Sequence, residues 1–398
     1  MVPRPRISSR WQRWQHVGDH ISLKISKTIA MDTKEFRRQM HRCPELSFEE
    51  HQTSRFISDS LSELGIEFRP IAGTGVLARV EGRRGNLKRC VVLRAEMDAV
   101  PIQEITGQEW ASEREGVMHA CGHDCHAAII FGVLKRLYLS RDFEGTLMVL
   151  FQPAEEFCSG GAAKVLEEEP FKDYDVVAVI GQHVDSSLEI GEIGFCPGKF
   201  MASADELRIT INGVGGNAVM RSQIKDSVVA MADLVMRLNA LNSDACVFST
   251  CKVEAGEGEN TIPDQSSCEC VMRVFGEKLR GRIKDMINHI AQEIEYKYDV
   301  DVQIAIRSGN PCVENNAQLS YEAMILADSC GYQVCDLEPT PTTDDFGHYS
   351  QMYPTLFYSL GVGQKSGRRH TPTFLPDERV LEVGEDFMWQ LALSILNK

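Results

Sequence analysis

Ten consecutive residues, His119 to Ala128 (HACGHDCHAA), hold three histidines, two cysteines and an aspartate. Thiolate and imidazole together suit a borderline-soft divalent cation such as Zn²⁺. Cys121 and His123 stand two apart, so an extended stretch would point them the same way. Asp124 is placed to cap the apolar helix that follows, with Ile130, Leu134 and Leu137 on one face. Taken alone, the pattern also fits a capped helix with a buried cysteine and surface histidines. A second stretch, QPAEE (Gln152 to Glu156), puts two adjacent glutamates after a proline that disfavours a continuing strand. Like charges so close are unfavourable unless a cation lies beside them. One glutamate would then ligate while its neighbour handles protons. GQHV contributes His183 and GRRHTP contributes His370. Singly, each histidine reads as structural. Pooled, Cys121, His123, Glu156, His183 and His370 offer five ligands, one more than a closed structural zinc site takes. Two metals, or one with open positions, account for the surplus, and both are catalytic arrangements.

These residues need elements to carry them. CVVLRAEMD (Cys90 to Asp98), TLMVLFQPAEE (Thr146 to Glu156) and DVVAVIGQH (Asp175 to His183) are nearly continuous β-prone runs, as expected of strands buried on both faces. The helix-like segments AAIIFGVLKRLYL and GGAAKVLEE alternate with them. That alternation predicts an α/β domain with a mostly parallel sheet. Each run ends in ionisable residues, and ligands in such sheets bind beyond the carboxyl ends of strands. Upstream, helices are predicted over Ile21 to His41, stopped by Pro44, and over Ser47 to Gly65. Ser47 and Glu50 read as a capping box and Gly65 as the stop. From about residue 200 the order becomes β-α-β-β-α-β, a ferredoxin-like α+β module. The expected domains are an N-terminal extension over 1–19, a catalytic domain over 20–199 and 313–398, and an inserted satellite domain over 200–312.

The 398-residue chain carries a formal charge of −15, which argues against a nucleic-acid partner. Its 13 cysteines show no framework spacing, no apolar secretory segment follows the N-terminus, and no run is long enough to span a membrane. A cytoplasmic protein with reduced thiols is expected. The basic start, MVPRPRISSRWQRWQ, reads as a frayed extension rather than a targeting peptide.

RAEMDAVP, HACGHDCHAA, QPAEE, GQHV, GVGGNA, ENTIPD, DDFGHY and HTPTFLPDE resemble, in order, the signature segments of the M20 metallopeptidase family. The branch they resemble cleaves N-acyl amino acids, auxin–amino acid conjugates, hippurate or N-acetyldiaminopimelate. The resemblance implies a metal-dependent amidohydrolase with two divalent ions per subunit (Zn, Mn, Co or Ni). It also implies a satellite domain that serves as lid and homodimer interface, and an N-acylated amino acid or short peptide as substrate. Carried over by position, Cys121 resembles the shared ligand, and His123, Glu156, His183 and His370 the others. Glu155 matches the general base. Asp98 matches an aspartate that in other branches steers a metal-binding histidine two residues earlier, a position held here by Glu96. Asn260 and Gly361 fall in segments that line the family's pocket. Three positions depart from the pattern: Asn217 replaces a lid histidine, Cys125 a glycine and Asp344 a glutamate. The lid histidine is an oxyanion donor. Asn217 can donate through its amide but carries no charge, and losing one such donor costs about 10²–10³ in rate. Two rival readings follow. One is a metal-binding but catalytically weakened member with a binding or repurposed role. The other is a thiol enzyme using Cys121 or Cys125, which leaves Glu155, Glu156, His183 and His370 without work.

Overall fold

The structure is a computed structural model describing residues 31–157, 160–256 and 258–398. The 1–19 extension and the 21–30 start of the first expected helix lie outside the described residues. Two compact units emerge: one runs to Phe195 and resumes at Gln318–Leu337 and Tyr353–Lys398, the other comprises Cys196–Ala317 and Glu338–Met352.

The first unit is built on an eight-stranded mixed sheet. Its centre is parallel: Arg89–Glu96 pairs with Thr146–Gln152 on one side and Asp175–Asp185 on the other, and the latter pairs with Thr355–Gly361. The apolar runs predicted as strands are these strands, and Thr146–Gln152 and Thr355–Gly361 are buried along their whole length. Antiparallel strands Glu67–Ile71 and Gly75–Glu81 extend one edge. Glu192–Phe195, antiparallel to Thr355–Gly361, and Gln333–Asp336 extend the other. Because the four central strands run in one direction, their carboxyl ends deliver Asp98, Glu155, Glu156 and His183 to the same edge of the sheet. Helix His123–Ser140 packs against Thr33–Arg42 and Arg379–Leu396 over this sheet.

Two local expectations fail. The second helix starts at His51, not Ser47. Its first-turn N–H groups of Gln52 and Thr53 donate to Glu45 Oε2, both at 2.8 Å. Glu45 therefore does the capping. Ser47 instead donates its hydroxyl to Asp98 Oδ2 at 2.7 Å, and Glu50 accepts from Thr74 at 2.5 Å. Gly65 stops the helix in the left-handed region, φ 73°, as its sequence position predicts. Asp124 does not cap its helix; left-handed Gly122 occupies the N-cap position, and Asp124 turns inward.

The second unit is a four-stranded antiparallel sheet in the order Cys246–Ala255, Gln265–Val274, Ser203–Asn212, Asp301–Ser308. Helices Ser227–Asn239 and Glu277–Tyr298 complete the β-α-β-β-α-β order. Inward positions of the Ser203–Asn212 strand alternate strictly, placing Leu207, Ile209 and Ile211 in a core with Met231, Leu234, Met272 and Ile287. Among the described residues no helix is long and apolar enough to cross a membrane.

Candidate metal centre and active site

Three left-handed turns aim the chemistry. Gly122, at φ 93°, lies between Cys121 and His123, and a Cβ there would stand 2.5 Å from Val184 Cγ2. The shared direction of Cys121 and His123 is thus made by a glycine turn, not by the strand alternation that the spacing suggested. Ala154, at φ 55°, bends the chain off its strand just before Glu155 and Glu156. His370 itself sits at φ 57°, and its backbone N–H is pinned to the Ala120 carbonyl at 2.8 Å. Non-glycine residues in this region cost free energy and cluster at functional sites.

The turns bring the five expected ligands together. Cys121 Sγ is 3.4 Å from His183 Nε2. The ligand atoms of Cys121, His123 and His183 all lie within 4.8 Å of one another, and so do those of Cys121, Glu156 and His370. Cys121 belongs to both groups, and His123, Glu155 and Glu156 form a third of the same compactness. His370 Nε2 is 3.0 Å from Glu156 Oε1. Glu155 adjoins this cluster, its Oε2 3.9 Å from His123 Nε2.

Hydrogen bonds behind the ligands fix which nitrogen faces the cluster. His123 Nδ1 is 3.1 Å from both the Asp98 carboxylate and the Asp98 carbonyl. Its Nε2 is buried without a hydrogen-bond partner, the state expected of a nitrogen reserved for a cation. Asp98 also accepts from the Glu156 N–H at 3.0 Å. One carboxylate therefore positions ligands from two elements, steering His123 rather than a residue two places before itself. His183 Nδ1 donates to the Val184 carbonyl at 2.9 Å, which leaves Nε2 toward Cys121.

Glu96, His126 and Arg369 were not singled out as site residues, yet they line the same cluster. His126 Nδ1 meets Glu96 Oε2 at 2.8 Å, and its Nε2 accepts from the Val184 N–H at 2.9 Å. Both nitrogens are engaged, so His126 braces the strand end that carries His183. Glu96 is paired in turn with buried Arg94. The signals were present: His126 follows His123 by three on one helix, and Glu96 ends its strand two residues before Asp98.

The electrostatics divide the imidazoles: His126 and His183 are held neutral, whereas His123 and His370 are pushed up. Burial, reinforced by the nearby His123 charge, pushes His126 well below the usual histidine range. Burial and the adjacent Arg369 do the same to His183. Burial alone would raise the Asp98 carboxyl, but the His123 contact and two donors outweigh it and hold it low. His370 is pushed up to about 10 by its contacts with Cys121 and Glu156; the groups that hold its proton are the ones a cation would use. Below the cluster, Asp124 accepts from Arg37 at 2.9 Å and meets His41 Nδ1 at 2.8 Å, all three fully buried.

Cys125 is fully buried, and burial pushes its thiol up, which removes it as a nucleophile. Gly361 ends its strand where a Cβ would stand 2.0 Å from the Glu189 carbonyl, so its role there is close backbone packing. Asn217, Asn260 and Asp344 belong to the second unit. There Gly216–Asn217 pairs with Thr261–Ile262, and exposed Asn217 accepts the Val219 N–H through Oδ1 at 3.2 Å. Asn260 accepts from the Ala218 N–H at 3.1 Å. Asp344 accepts from the Phe346 N–H at 2.8 Å.

The fold and this cluster agree with the family relationship. The chain belongs to peptidase family M20/M25/M40, whose family model matches residues 92–394. It is 34% identical over 369 residues to an N-acetylcysteine deacetylase of Bacillus subtilis (strain 168), covering 90% of this chain and 96% of that protein. It is also 34% identical over 360 residues to an N-acetyldiaminopimelate deacetylase of Exiguobacterium sibiricum, covering 87% and 95%. A solved Bacillus subtilis structure described as a dinuclear metal binding peptidase of the M20 family superposes with a TM-score of 0.82 at 33% identity, covering 92% of this chain and 97% of that one. The membership and the α/β class expected from the motifs both hold.

Proposed function

We propose that this protein is an amidohydrolase that releases the acyl group from N-acetyl amino acids at a dinuclear centre held by Cys121, His123, Glu156, His183 and His370. The observation that carries the reading is the membership of Cys121 in both ligand groups, with Glu155 at their edge. The deacetylase relatives support the substrate class. Divalent cations in this cluster would polarise the amide carbonyl and bring water into the range where it ionises near neutral pH.

The chain's own residues do the remaining work. Glu155 takes the proton of the attacking water and returns it to the leaving amine as the C–N bond breaks. Asp98 holds His123 and the Glu156 backbone in register through the reaction. Asn217, at the position where the family resemblance expects a lid histidine, keeps an amide N–H₂ that can donate a hydrogen bond. The products are a carboxylic acid and a free amino acid. Two edge strands of the second unit, Cys246–Ala255 and Asp301–Ser308, support pairing of copies through that unit. The cysteines among the described residues are free thiols, which supports a reducing, cytoplasmic compartment.

The test is acetate release from an N-acetyl amino acid panel by protein loaded with Mn²⁺, Zn²⁺ or Co²⁺. Turnover that chelator abolishes and metal restores supports the reading; metal-loaded protein that cleaves nothing in the panel overturns it. Asn217 at the lid position motivates the weakened-enzyme alternative. A large gain in turnover for Asn217→His would favour that alternative.

A further inference from the structure

Phe48 and Phe157 flank the metal-binding cluster and take no part in the hydrolysis described above. The segments that carry them are joined to the site through one atom. Ser47, the neighbour of Phe48, donates its hydroxyl to Asp98 Oδ2 at 2.7 Å, and the N–H of Glu156, the neighbour of Phe157, donates to the same oxygen at 3.0 Å. A parallel bridge between Leu46 and Ala99 holds the first segment alongside the chain that carries Asp98. The two rings meet edge to face, with centroids 5.6 Å apart and planes inclined at 70°, a favoured arrangement for an aromatic pair.

The pair is held in place against local preference. Phe48 stands at φ 64°, and a bulky side chain in the left-handed region persists only where its surroundings hold it. Lys164, on the helix Gly160–Glu167, places Nζ 3.6 Å from the Phe48 ring centroid and closes one face of that ring. Phe157 is 57% exposed. A single exposed phenylalanine needs no explanation. A strained phenylalanine set against an exposed one, directly after a ligand glutamate, is an apolar surface built at the site.

We propose that Phe48 and Phe157 form the surface that receives the apolar side chain of the amino-acid half of the substrate, an inference that rests on the amidohydrolase reading above. An acetyl group carries only a methyl beyond its carbonyl and gives such a surface little to cover. The amino-acid side chain begins three bonds from the scissile carbonyl carbon, through the nitrogen and Cα, so its seat must adjoin the metal-binding cluster. Phe157 directly follows the Glu156 ligand and meets that requirement. An aromatic or long aliphatic side chain laid on the rings leaves water and gains ring contacts, whereas a methyl side chain gains little of either. The consequence is selection for N-acyl amino acids with large apolar side chains over those with small ones.

The experiment compares N-acetyl-L-phenylalanine with N-acetyl-L-alanine on the Mn²⁺-loaded wild type, Phe157→Ala and Phe157→Leu. In the wild type the phenylalanine compound is favoured. In Phe157→Ala the phenylalanine-over-alanine ratio of kcat/KM falls by about 10-fold, with the loss chiefly in KM. Phe157→Leu restores part of that ratio because it restores apolar area. A wild type without preference for the phenylalanine compound, equal losses on the two compounds, or an unchanged ratio in Phe157→Ala overturns the proposal. Calorimetric binding of the same two compounds separates this proposal from the reading beneath it. If the wild type binds both without turning over either, the amidohydrolase reading fails. The Phe48–Phe157 assignment then stands or falls on whether the binding preference for the phenylalanine compound disappears in Phe157→Ala.

Discussion

Replacing Asp124 by alanine tests whether the metal centre is held from below. Asp124 lies next to His123, and its Oδ2 takes both Arg37 Nε at 2.9 Å and His41 Nδ1 at 2.8 Å with no solvent exposure on any of the three side chains. Helix Thr33–Arg42 is thereby tied to the helix that begins at His123. Removing the carboxylate deprives a buried guanidinium of its close partner and leaves it only the more distant Glu378, 3.7 Å from Nη1, which costs about 3 kcal/mol. A thermal midpoint lower by roughly 10 °C follows for a unit of this size. His123 loses its fixed neighbour as well, so metal affinity falls by about 10- to 100-fold. The assay is differential scanning fluorimetry together with chelator competition on wild type, Asp124→Ala and the double variant Arg37→Met/Asp124→Leu. The double variant recovers most of the lost midpoint, because an apolar replacement removes both buried charges together. The reasoning is refuted if Asp124→Ala melts with the wild type, or if the double variant melts as low as the single one.

Three further outcomes follow. Glu155→Gln lowers kcat by about 10²–10⁴ while metal content, measured by elemental analysis, stays at the wild-type level; loss of the metal would place Glu155 among the ligands instead. Asp98→Asn keeps the fold but weakens metal binding by about 10- to 100-fold, read by chelator titration, because the amide no longer fixes the His123 tautomer. Burial lowers His41, but the Asp124 carboxylate and the bond it makes outweigh this and raise it above its ordinary value. Its stabilising contribution is therefore complete below about pH 6.5 and is lost as pH rises through the folded-state value. Melting midpoints measured across alkaline pH decline in the wild type, and the His41→Gln variant removes that part of the decline.

The candidate ligands were legible where they follow a local, readable element, as Glu156 and His183 follow apolar strand runs. VVLRAE, TLMVLFQ and DVVAVIGQH are apolar runs that declare buried strands, and parallel strands necessarily present their carboxyl ends together. What joins the ligands across the chain was not readable. The Asp98–His123 contact spans 25 positions and the Glu96–His126 contact 30, and no local pattern encodes such pairs. Local signals also misled where tertiary contacts claimed the side chain. Ser47 has the look of a cap but serves Asp98, and the helix turned to Glu45 for its cap. Asp124 had the same look and serves Arg37 and His41. The turn at Gly122 was concealed because Cys-Gly-His reads equally well as an extended tripeptide until Val184 closes against the glycine.

Metal occupancy of the cluster is read by anomalous diffraction from crystals of the Mn²⁺- or Zn²⁺-loaded protein. Two cation peaks per chain are predicted, both within bonding distance of Cys121 Sγ, one reached by His123 and His183 and the other by Glu156 and His370. Peaks elsewhere, or metal-free protein that hydrolyses N-acetyl amino acids at full rate, would contradict the dinuclear assignment.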